Sequence, residues 1–346
     1  MDENFLAAEA ADAPDPAGAA GAAQDAGTAQ DAGTAGGAGS GDVDSFEAHR
    51  PHLRAVGYRM LGSIAEAEDA VQDTWLRYDR TDTSEVENLG GWLTTVIGRI
   101  CLNQLRSRAQ RREESFESRL AAGGGGGDIE PSRIPDPLLR RADAPDPEQE
   151  VLLADSVGLA LMVVMESLAP AERVSFVLHD MFAVPFEEIA PLVEKTAAAT
   201  RQLASRARRK VQGRAPAPDR DLACQRVAVD AFFAATRTGD LDALLAVLAP
   251  DVVLRADGAA AGREQRRPVV LNGARTVAGQ AVMFRGLSPY ARPALVNGAA
   301  GVVVIGANGR PMSIMAFTVV GGVIVAIDVL TDPDRLAALD LTAFAD

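Results

Sequence analysis

Five cations lie within ten residues of an otherwise acidic chain. The 346-residue sequence has a formal net charge of −14, yet the stretch from Arg201 to Lys210 contains five basic residues and no acid. Thr196 is a suitable N-cap for a helix there. The outward stripe of that helix consists of Arg201, Ser205, Arg208 and Gln212. Because arginine and glutamine read base edges in the major groove, the stretch predicts a DNA-binding helix, with a solvated basic face as the alternative.

The residues before this helix complete a two-helix pattern. In VPFEEIAPLVEK, an apolar face at helical spacing is formed by Ile189, Ala190 and Val193. The inward face of the following basic helix is predicted to comprise Thr200, Leu203, Ala207 and Val211. Two helices joined by a turn of about four residues are typical of a helix-turn-helix.

A second basic helix is predicted from Gly90 to Arg112. It buries Leu93, Ile97, Ile100 and Leu105. Its exposed face at i, i+4, i+7 and i+11 consists of Arg99, Asn103, Arg106 and Gln110. Because the two basic helices lie in separate helical segments, we predict a single protein that contacts two sites on DNA.

An acidic helix precedes the second basic helix. In GSIAEAEDAVQDTWLR, Ser63 and Glu66 have the spacing of a capping box. The outer stripe comprises Glu66, Asp69 and Asp73, with Gln72 beside it. Such a face is usually only solvated, but beside DNA-reading helices it can dock a positively charged partner protein.

Composition divides the chain into folded segments and linkers. Residues 1–44 contain nine acids and no lysine or arginine, and we expect a disordered acidic tail. The predicted domains are 45–112 and 147–213, both all-α, and 221–346, which is α+β; linkers occupy 113–146 and 214–220. Cys101 and Cys224 are interpreted as buried thiols in a reducing compartment.

The apolar stretch Met312–Leu330 has about the length of a membrane-spanning helix. It is interrupted by Gly321-Gly322 and is rich in β-branched residues, so we predict two buried strands joined by a tight turn. Neither membrane association nor a metal or cofactor is expected.

The combined motifs resemble an extracytoplasmic-function (ECF) sigma factor of the sigma-70 family. AEDAVQDTWLR resembles the region 2.2 helix, and WLTTVIGRICLNQLRSRAQRR resembles regions 2.3 and 2.4. LAPAERVSFVLHDMFAVPFEEIAPLVEKTAAATRQLASRARRKVQ resembles region 4. The resemblance covers about half of the chain and implies a cytoplasmic, non-catalytic protein whose partners are core RNA polymerase, through its β′ clamp helices and β subunit, and promoter DNA.

The resemblance also implies a role for each matching position. Residues facing β′ would be Glu66, Asp69, Gln72 and Asp73. Residues facing the −10 strand would be Arg99, Asn103, Arg106 and Gln110, with the loop Thr81–Gly91 accepting a flipped base. Residues facing −35 would be Ala198, Arg201, Gln202, Ser205, Arg208 and Arg209.

The third segment resembles a SnoaL-like domain, an α+β cone of the nuclear-transport-factor-2 (NTF2) type. A sigma-J-like subgroup of ECF factors carries this extension as a regulator in cis. The matching positions are Ile134, Pro135 and Pro137 in the linker, Asp257 and Gly258, and Asp332, Pro333, Asp334, Arg335 and Leu336. Ala259, Ala260 and Ala261 depart from the subgroup's Asp-Gly-Gly-Gly-Lys motif.

Two other functions are compatible with the same residues: a ligand-responsive repressor, and a SnoaL-like enzyme fused to DNA-binding helices. His49, His52 and His179 all lie outside the third segment, so an acid–base site there would need Asp257 or Asp328. Asp328 is expected more readily on the polar outer face of the sheet. A small-molecule pocket could be lined by Met283, Phe284, Met315 and Phe317, although these residues are more typical of a core.

Overall fold

The structure, a computed structural model, describes residues 40–121, 133–141, 158–214, 217–258 and 268–344. The expected tail up to residue 39, the run Gly123–Gly127 and the stretch Ala259–Ala261 lie outside these ranges. No helix in the described ranges is long and apolar enough to cross a membrane.

The first helical segment consists of α1 (Ser40–Leu61), α2 (Ile64–Tyr78) and α3 (Leu89–Ala121). The helix α1 starts within the expected tail, and α3 continues nine residues past the predicted boundary at 112. Gly62 has a φ of 68° and allows the sharp turn between α1 and α2. An aromatic cluster closes this core, since the Phe46 ring lies 5.0 Å from the Trp75 ring and 5.8 Å from the Tyr78 ring.

The described part of the second helical segment, 158–214, contains four helices and one π-helical turn. They are α4 (Leu159–Met165), α5 (Pro170–Phe176), the π turn (Val177–Met181), α6 (Phe186–Leu192) and α7 (Ala197–Arg214). The predicted apolar face is confirmed, because Ile189, Ala190 and Val193 are all buried. The core of this segment is continuous with that of the first segment.

The C-terminal segment is a mixed sheet with helices, as expected for an α+β cone. Its helices are α8 (Leu222–Thr238), α9 (Leu241–Val247), α10 (Ala274–Met283) and α11 (Pro333–Ala337), with 3-10 turns at Arg285–Tyr290 and Thr342–Phe344. Its strands are β2 (Leu248–Ala256), β3 (Val269–Asn272), β4 (Ala291–Val296), β5 (Ala299–Ile305), β6 (Pro311–Val320) and β7 (Val323–Leu330). The predicted turn at Gly321-Gly322 joins β6 to β7.

A short strand from the linker joins this sheet. The strand β1 (Leu139–Arg141) pairs antiparallel with β4, with Leu139 opposite Val296 and Arg141 opposite Ala294. The strand order is β1-β4-β5-β6-β7-β2-β3. Residues 139–141 of the linker therefore belong to the C-terminal sheet, although no pattern in the sequence predicted a strand there.

Alternate residues of the sheet belong to two different cores. Val302 and Phe317 pack with the helices of the cone, whereas Val303 and Ala316 face a second cluster. That second cluster also contains Ile134 of the linker, Leu159 and Val163 of α4, and Leu336 of α11. The outer face of the sheet is thus covered by the linker and the second helical segment.

The structure corrects three expectations. The capping box is wrong, because Ser63 makes no side-chain cap bond and the Glu66 carboxylate pairs with Arg108 instead. Cys224 is exposed, whereas Cys101 is buried as expected. Asp328 lies opposite Ala316, on the outer face as expected, but it is only 2% exposed and is paired with Arg255 at 2.6 Å.

Candidate nucleic-acid and polymerase interface

The helix α7 presents a basic face because its opposite face is fixed in the core. The Thr196 hydroxyl accepts a hydrogen bond from the Ala199 amide at 3.2 Å, which confirms the predicted cap. Thr200, Ala207 and the neighbouring Ala204 are fully buried. The six candidate −35 residues thereby come together on the other side: Ser205 is half-buried, and exposed positions are Ala198, Arg201, Gln202, Arg208 and Arg209.

Acids of the same segment hold several cations of α7. Lys210 donates to Glu172 at 2.7 Å, and Arg208 pairs with Asp180. Arg201 lies 3.9 Å from Glu187, and its guanidinium is 5.2 Å from the Phe186 ring centre. These contacts orient the side chains but leave their heads accessible, since the Arg201 side chain is 61% exposed.

The basic face of α3 is also exposed. Leu93, Ile97, Ile100 and Leu105 are buried as predicted. The opposite face brings together the four candidate −10 residues, all of them exposed: Arg99, Asn103, Arg106 and Gln110. Arg106 donates to Glu194 at 3.0 Å, and Glu194 belongs to the turn that precedes α7.

A groove of about 660 Å³ lies between α2 and α3. Its walls include Asp73, Arg80, Thr81, Trp92 and Arg99. The start of the loop that was expected to accept a base thus borders a cavity with one aromatic ring and three guanidinium groups, those of Arg77, Arg80 and Arg99. Such groups stack on bases and neutralise phosphate.

The acidic residues of α2 do not form one uniform surface. Asp69, Gln72 and Asp73 are exposed. Glu66 is half-buried, because its carboxylate pairs with Arg108 and lies 3.7 Å from Arg133 of the linker. The exposed acidic face is therefore narrower than predicted, and Glu66 is withdrawn from it.

The positions of the third segment that match the subgroup motifs meet the linker. The Asp257 carboxylate accepts from the Thr331 amide at 2.9 Å and the Asp332 amide at 3.0 Å. The Asp332 side chain caps α11 by accepting from the amides of Asp334 and Arg335. Arg335 then donates to the Ile134 carbonyl at 2.7 Å. Pro333 begins α11, and Leu336 is buried in the same cluster as Ile134. Gly258, at a φ of 88°, ends the described part of its motif.

Asp136 connects this cluster to the first helical segment. Its carboxylate accepts from Arg335 at 2.5 Å and from the amide of Ile64, the first residue of α2, at 3.0 Å. Burial opposes ionisation of Asp136, but the Arg335 guanidinium outweighs it and lowers the pKa of this carboxyl. Pro135 and Pro137, on either side of Asp136, are buried. The helix α2 is thus capped by a residue of the linker.

The candidate acid–base and pocket residues of the third segment are not gathered at one site. Asp257 holds the β7–α11 junction, and Asp328 is on the sheet face opposite to the helices of the cone. Phe317 packs against Phe232 with ring centres 5.5 Å apart, whereas Met283 is 78% exposed. Among the described residues, no group of three or more His, Cys, Asp or Glu side chains is arranged to hold a metal ion.

Three important residues were missed by the sequence analysis. One signal in the sequence could have pointed to Asp136. It is an acidic residue between Pro135 and Pro137, and an acid in such a motif can fix the position of a linker. Asn297 precedes Gly298 between two strands, which is the signal of a hairpin turn but not of an interdomain contact. Arg173 was given no role from the sequence, yet it is 2% exposed and donates to Glu166 at 2.6 Å.

Comparisons with known proteins match the two helical segments to known families. Residues 45–111 match the family model for Sigma-70 region 2, and residues 158–211 match that for Sigma-70, region 4. The ECF RNA polymerase sigma factor SigJ of Mycobacterium tuberculosis is 38% identical over 320 residues, covering 87% of this chain and 95% of that protein. The probable ECF RNA polymerase sigma factor SigI of the same species is 35% identical over 300 residues, covering 85% of this chain and 94% of that protein.

A solved structure matches most of the chain. The crystal structure of the M. tuberculosis extracytoplasmic-function sigma factor SigJ aligns with a TM-score of 0.66 and 35% sequence identity, covering 86% of this chain and 99% of that chain. The match thus spans the helical segments together with the C-terminal sheet. On these grounds the chain belongs to the ECF RNA polymerase sigma factors.

Proposed function

We propose that this sigma factor reads the −35 element with α7 and the −10 element with α3, and binds the β′ clamp helices of core polymerase with α2. We further propose that its C-terminal domain restrains these surfaces in cis. The observation that carries the proposal is the exposure of two basic helical faces on the two segments that match regions 2 and 4. Because its proposed partners are core polymerase and promoter DNA, we also propose a cytoplasmic location.

The −35 assignment is supported by the residue types on the exposed face of α7. Arg201, Gln202 and Arg208 offer guanidinium and amide groups for base edges, whereas Arg209 suits phosphate. Ala198 and Ser205 are small enough to let the helix approach the groove closely. Because Arg208 already pairs with Asp180, its binding to DNA exchanges one anionic partner for another.

The −10 assignment is supported by the groove beside Arg99. Base flipping costs a few kcal/mol, and stacking on an aromatic ring returns about 1–3 kcal/mol per base. Trp92 in the groove wall supplies such a ring, and Arg80 and Arg99 supply charge for the displaced strand. Asn103, Arg106 and Gln110 extend the same face along α3.

The polymerase assignment rests on charge. Asp69 and Asp73 are exposed at i and i+4 on α2, with Gln72 beside them. Complementary charge of this kind steers association and fixes register with a basic partner. Glu66 contributes less to polymerase binding than the resemblance to region 2.2 implies, because its carboxylate is already paired with Arg108 and lies close to Arg133.

Restraint in cis is supported by the closeness of the two DNA-reading faces. Positions −10 and −35 are about 25 base pairs apart, which is roughly 85 Å at 3.4 Å per base pair. Here Arg106 touches the turn before α7, and a Cβ atom on Gly98 would lie 3.1 Å from Leu178 of the second helical segment. The two segments must therefore separate before one molecule can contact both elements.

We also propose that the C-terminal domain performs no catalysis. Asp257 is bound to three donors of the β7–α11 junction, and Asp328 is paired with Arg255 on the far face of the sheet. Phe232 and Phe317 meet within the cone, which supports a structural role for the residues considered for a pocket.

A gel-shift experiment tests the proposed function. Promoter DNA from upstream of the protein's own gene is incubated with the protein alone, with core polymerase alone and with both. We expect a specific, heparin-resistant complex only with both, because the free protein is closed and acidic. Tight operator binding by the protein alone would instead indicate a repressor.

A further inference from the structure

The turn between β4 and β5 is buried at the junction of all described parts of the chain. Asn297 and Gly298 have positive φ values of 49° and 78°, as a type I′ hairpin turn requires. Asn-Gly turns are ordinarily solvent-exposed, whereas Asn297 is only 4% exposed. The side chain of this turn residue therefore makes contacts beyond its own hairpin.

Asn297 bonds to groups from three other parts of the chain. Its Nδ2 donates to the Tyr58 hydroxyl of α1 at 3.0 Å and lies 3.9 Å from Sδ of Met162 in α4. Its Oδ1 accepts from the amide of Leu138 in the linker at 3.0 Å. The backbone amide of Asn297 donates to the Leu138 carbonyl at 2.8 Å. One residue of the C-terminal domain thus contacts both helical segments and the linker.

The Tyr58 hydroxyl is fully engaged by this contact. It accepts from Asn297 and donates to the Asp136 carbonyl at 2.7 Å. Tyr58 is 2% exposed, and burial raises the pKa of its hydroxyl above the usual value. The hydroxyl therefore stays protonated at physiological pH and can act as donor and acceptor together.

The contact between Asn297 and Tyr58 is buried, unlike the exposed ion pair between Arg106 and Glu194. Arg106 and Glu194 are 44% and 72% exposed in their side chains, and water can replace each partner when the segments part. The side-chain amide of Asn297 has no such substitute while it stays enclosed, so removing the Tyr58 hydroxyl leaves its Nδ2 group without that oxygen acceptor. The buried contact has the larger influence on the equilibrium between closed and separated segments.

We propose that Asn297, through Tyr58, is the residue by which the C-terminal domain keeps the first helical segment closed against the rest of the chain. The proposal deepens the proposed function, since it names the contact that must break before promoter binding. The same separation removes Asp136 from the start of α2, the helix that carries the acidic face for polymerase. Opening therefore changes the capping of α2 as well as the spacing of the DNA-reading faces.

Two variants and one control test the contact in the full-length chain. Asn297→Gly removes the amide but keeps a residue that tolerates positive φ, and Tyr58→Phe removes only the hydroxyl. The matched control is Asn308→Gly, which alters the exposed turn between β5 and β6, where the described contact of the Asn308 side chain stays within that turn. If either contact variant fails to fold by circular dichroism, the other still tests the proposal.

The direct readout is the distance between one spin label on the first helical segment and one on the C-terminal domain. Labels are placed at Asp79, after α2, and at Asp230, exposed on α8, in a Cys224→Ser background that keeps the buried Cys101. We expect the wild type and Asn308→Gly to give the closed distance. Asn297→Gly and Tyr58→Phe should each raise the ratio of separated to closed molecules about fivefold. Wild-type distance distributions in both contact variants would overturn the proposal.

Run-off transcription with the same variants distinguishes failure of this proposal from failure of the proposed function. At limiting core polymerase, both contact variants should raise run-off transcription about fivefold over the wild type and over Asn308→Gly. Separated labels without any rise would support the contact and contradict its role in promoter access. Unchanged labels together with unchanged transcription would overturn the role of Asn297.

Discussion

Arg106 of α3 and Glu194 of the turn before α7 form an ion pair at 3.0 Å. Each residue lies on or beside a surface assigned to a different promoter element, so the pair exists only when the two helical segments are together. Glu194 has a φ of 55°, an uncommon value for a residue other than glycine, and its side chain is 72% exposed. The contact marks the closed arrangement, but its exposure makes it a weak restraint.

Glu194→Gln therefore should change little. An exposed ion pair contributes about 0–1 kcal/mol, so we expect no more than about a fivefold change in the amount of polymerase–promoter complex. Filter binding with core polymerase measures this amount. Arg106→Ala is the matched comparison, and it should reduce binding to a promoter with an intact −10 element more than to one with a scrambled −10. An increase of a hundredfold for Glu194→Gln would make this pair the main restraint.

Arg201→Ala and Arg208→Ala should each weaken promoter binding by about 1–3 kcal/mol if these side chains contact bases. The effect should disappear on a promoter whose −35 element has been scrambled. Arg237→Ala removes an exposed arginine from the C-terminal domain and serves as the control. Equal losses on intact and scrambled −35 elements would assign the two residues to phosphate contact instead.

Asp69→Lys and Asp73→Lys should each weaken binding to core polymerase about tenfold, because they place a cation on the face proposed to meet a basic partner. Biolayer interferometry with immobilised core measures the dissociation constant. Asp230→Lys makes the same charge change on an exposed position of α8 and should have no effect. Wild-type affinity in both α2 variants would remove this face from the polymerase interface.

Asp136→Asn should destabilise the protein at neutral pH and progressively less in acid. The pKa of Asp136 is lowered in the folded protein, so its stabilising contribution is present above the unfolded-state pKa and is lost as the pH falls through the folded-state value. Urea unfolding at pH 7, 4 and 3 measures the difference from wild type. A difference that stays constant over this range would show that the charge of Asp136 does not matter.

Arg173→Ala should cost about 3–5 kcal/mol in the free energy of unfolding. The guanidinium is buried with Glu166, and it also donates to the Arg59 carbonyl of the first helical segment at 3.3 Å. Removing one partner leaves a buried carboxylate, so Arg173→Met combined with Glu166→Leu should be less damaging than Arg173→Ala alone. Urea unfolding of the three proteins decides this, and a double variant that is less stable than Arg173→Ala would contradict the explanation.

Local patterns in the sequence predicted the elements that carry the candidate surfaces. The hydroxyl of Thr196 and the turn at Gly321-Gly322 act within a few residues, so their consequences could be read directly. The buried and exposed faces of α3 and α7 likewise followed from helical periodicity. Burial of Leu203 was overstated, because Ala204 occupies the centre of the contact instead.

Contacts distant in sequence could not be predicted in the same way. Glu66 was expected to turn back to the start of α2, but Arg108 of α3 offers it a charged partner and Asp136 bonds the free amide of Ile64. The three residues of β1 are too few to show a strand period, and they become a strand only because the edge of β4 is available. Tyr58 and Asn297 are 239 positions apart and meet only in the folded chain.

Run-off transcription with purified core polymerase tests the central claim most directly. The template carries the DNA upstream of the protein's own gene, and core polymerase without the protein is the control. We predict discrete transcripts that require the full chain and are lost when either the −10 or the −35 element of the template is scrambled. Binding of the protein to core without any such transcript, on this template and on a library of genomic fragments, would contradict the claim that it directs initiation.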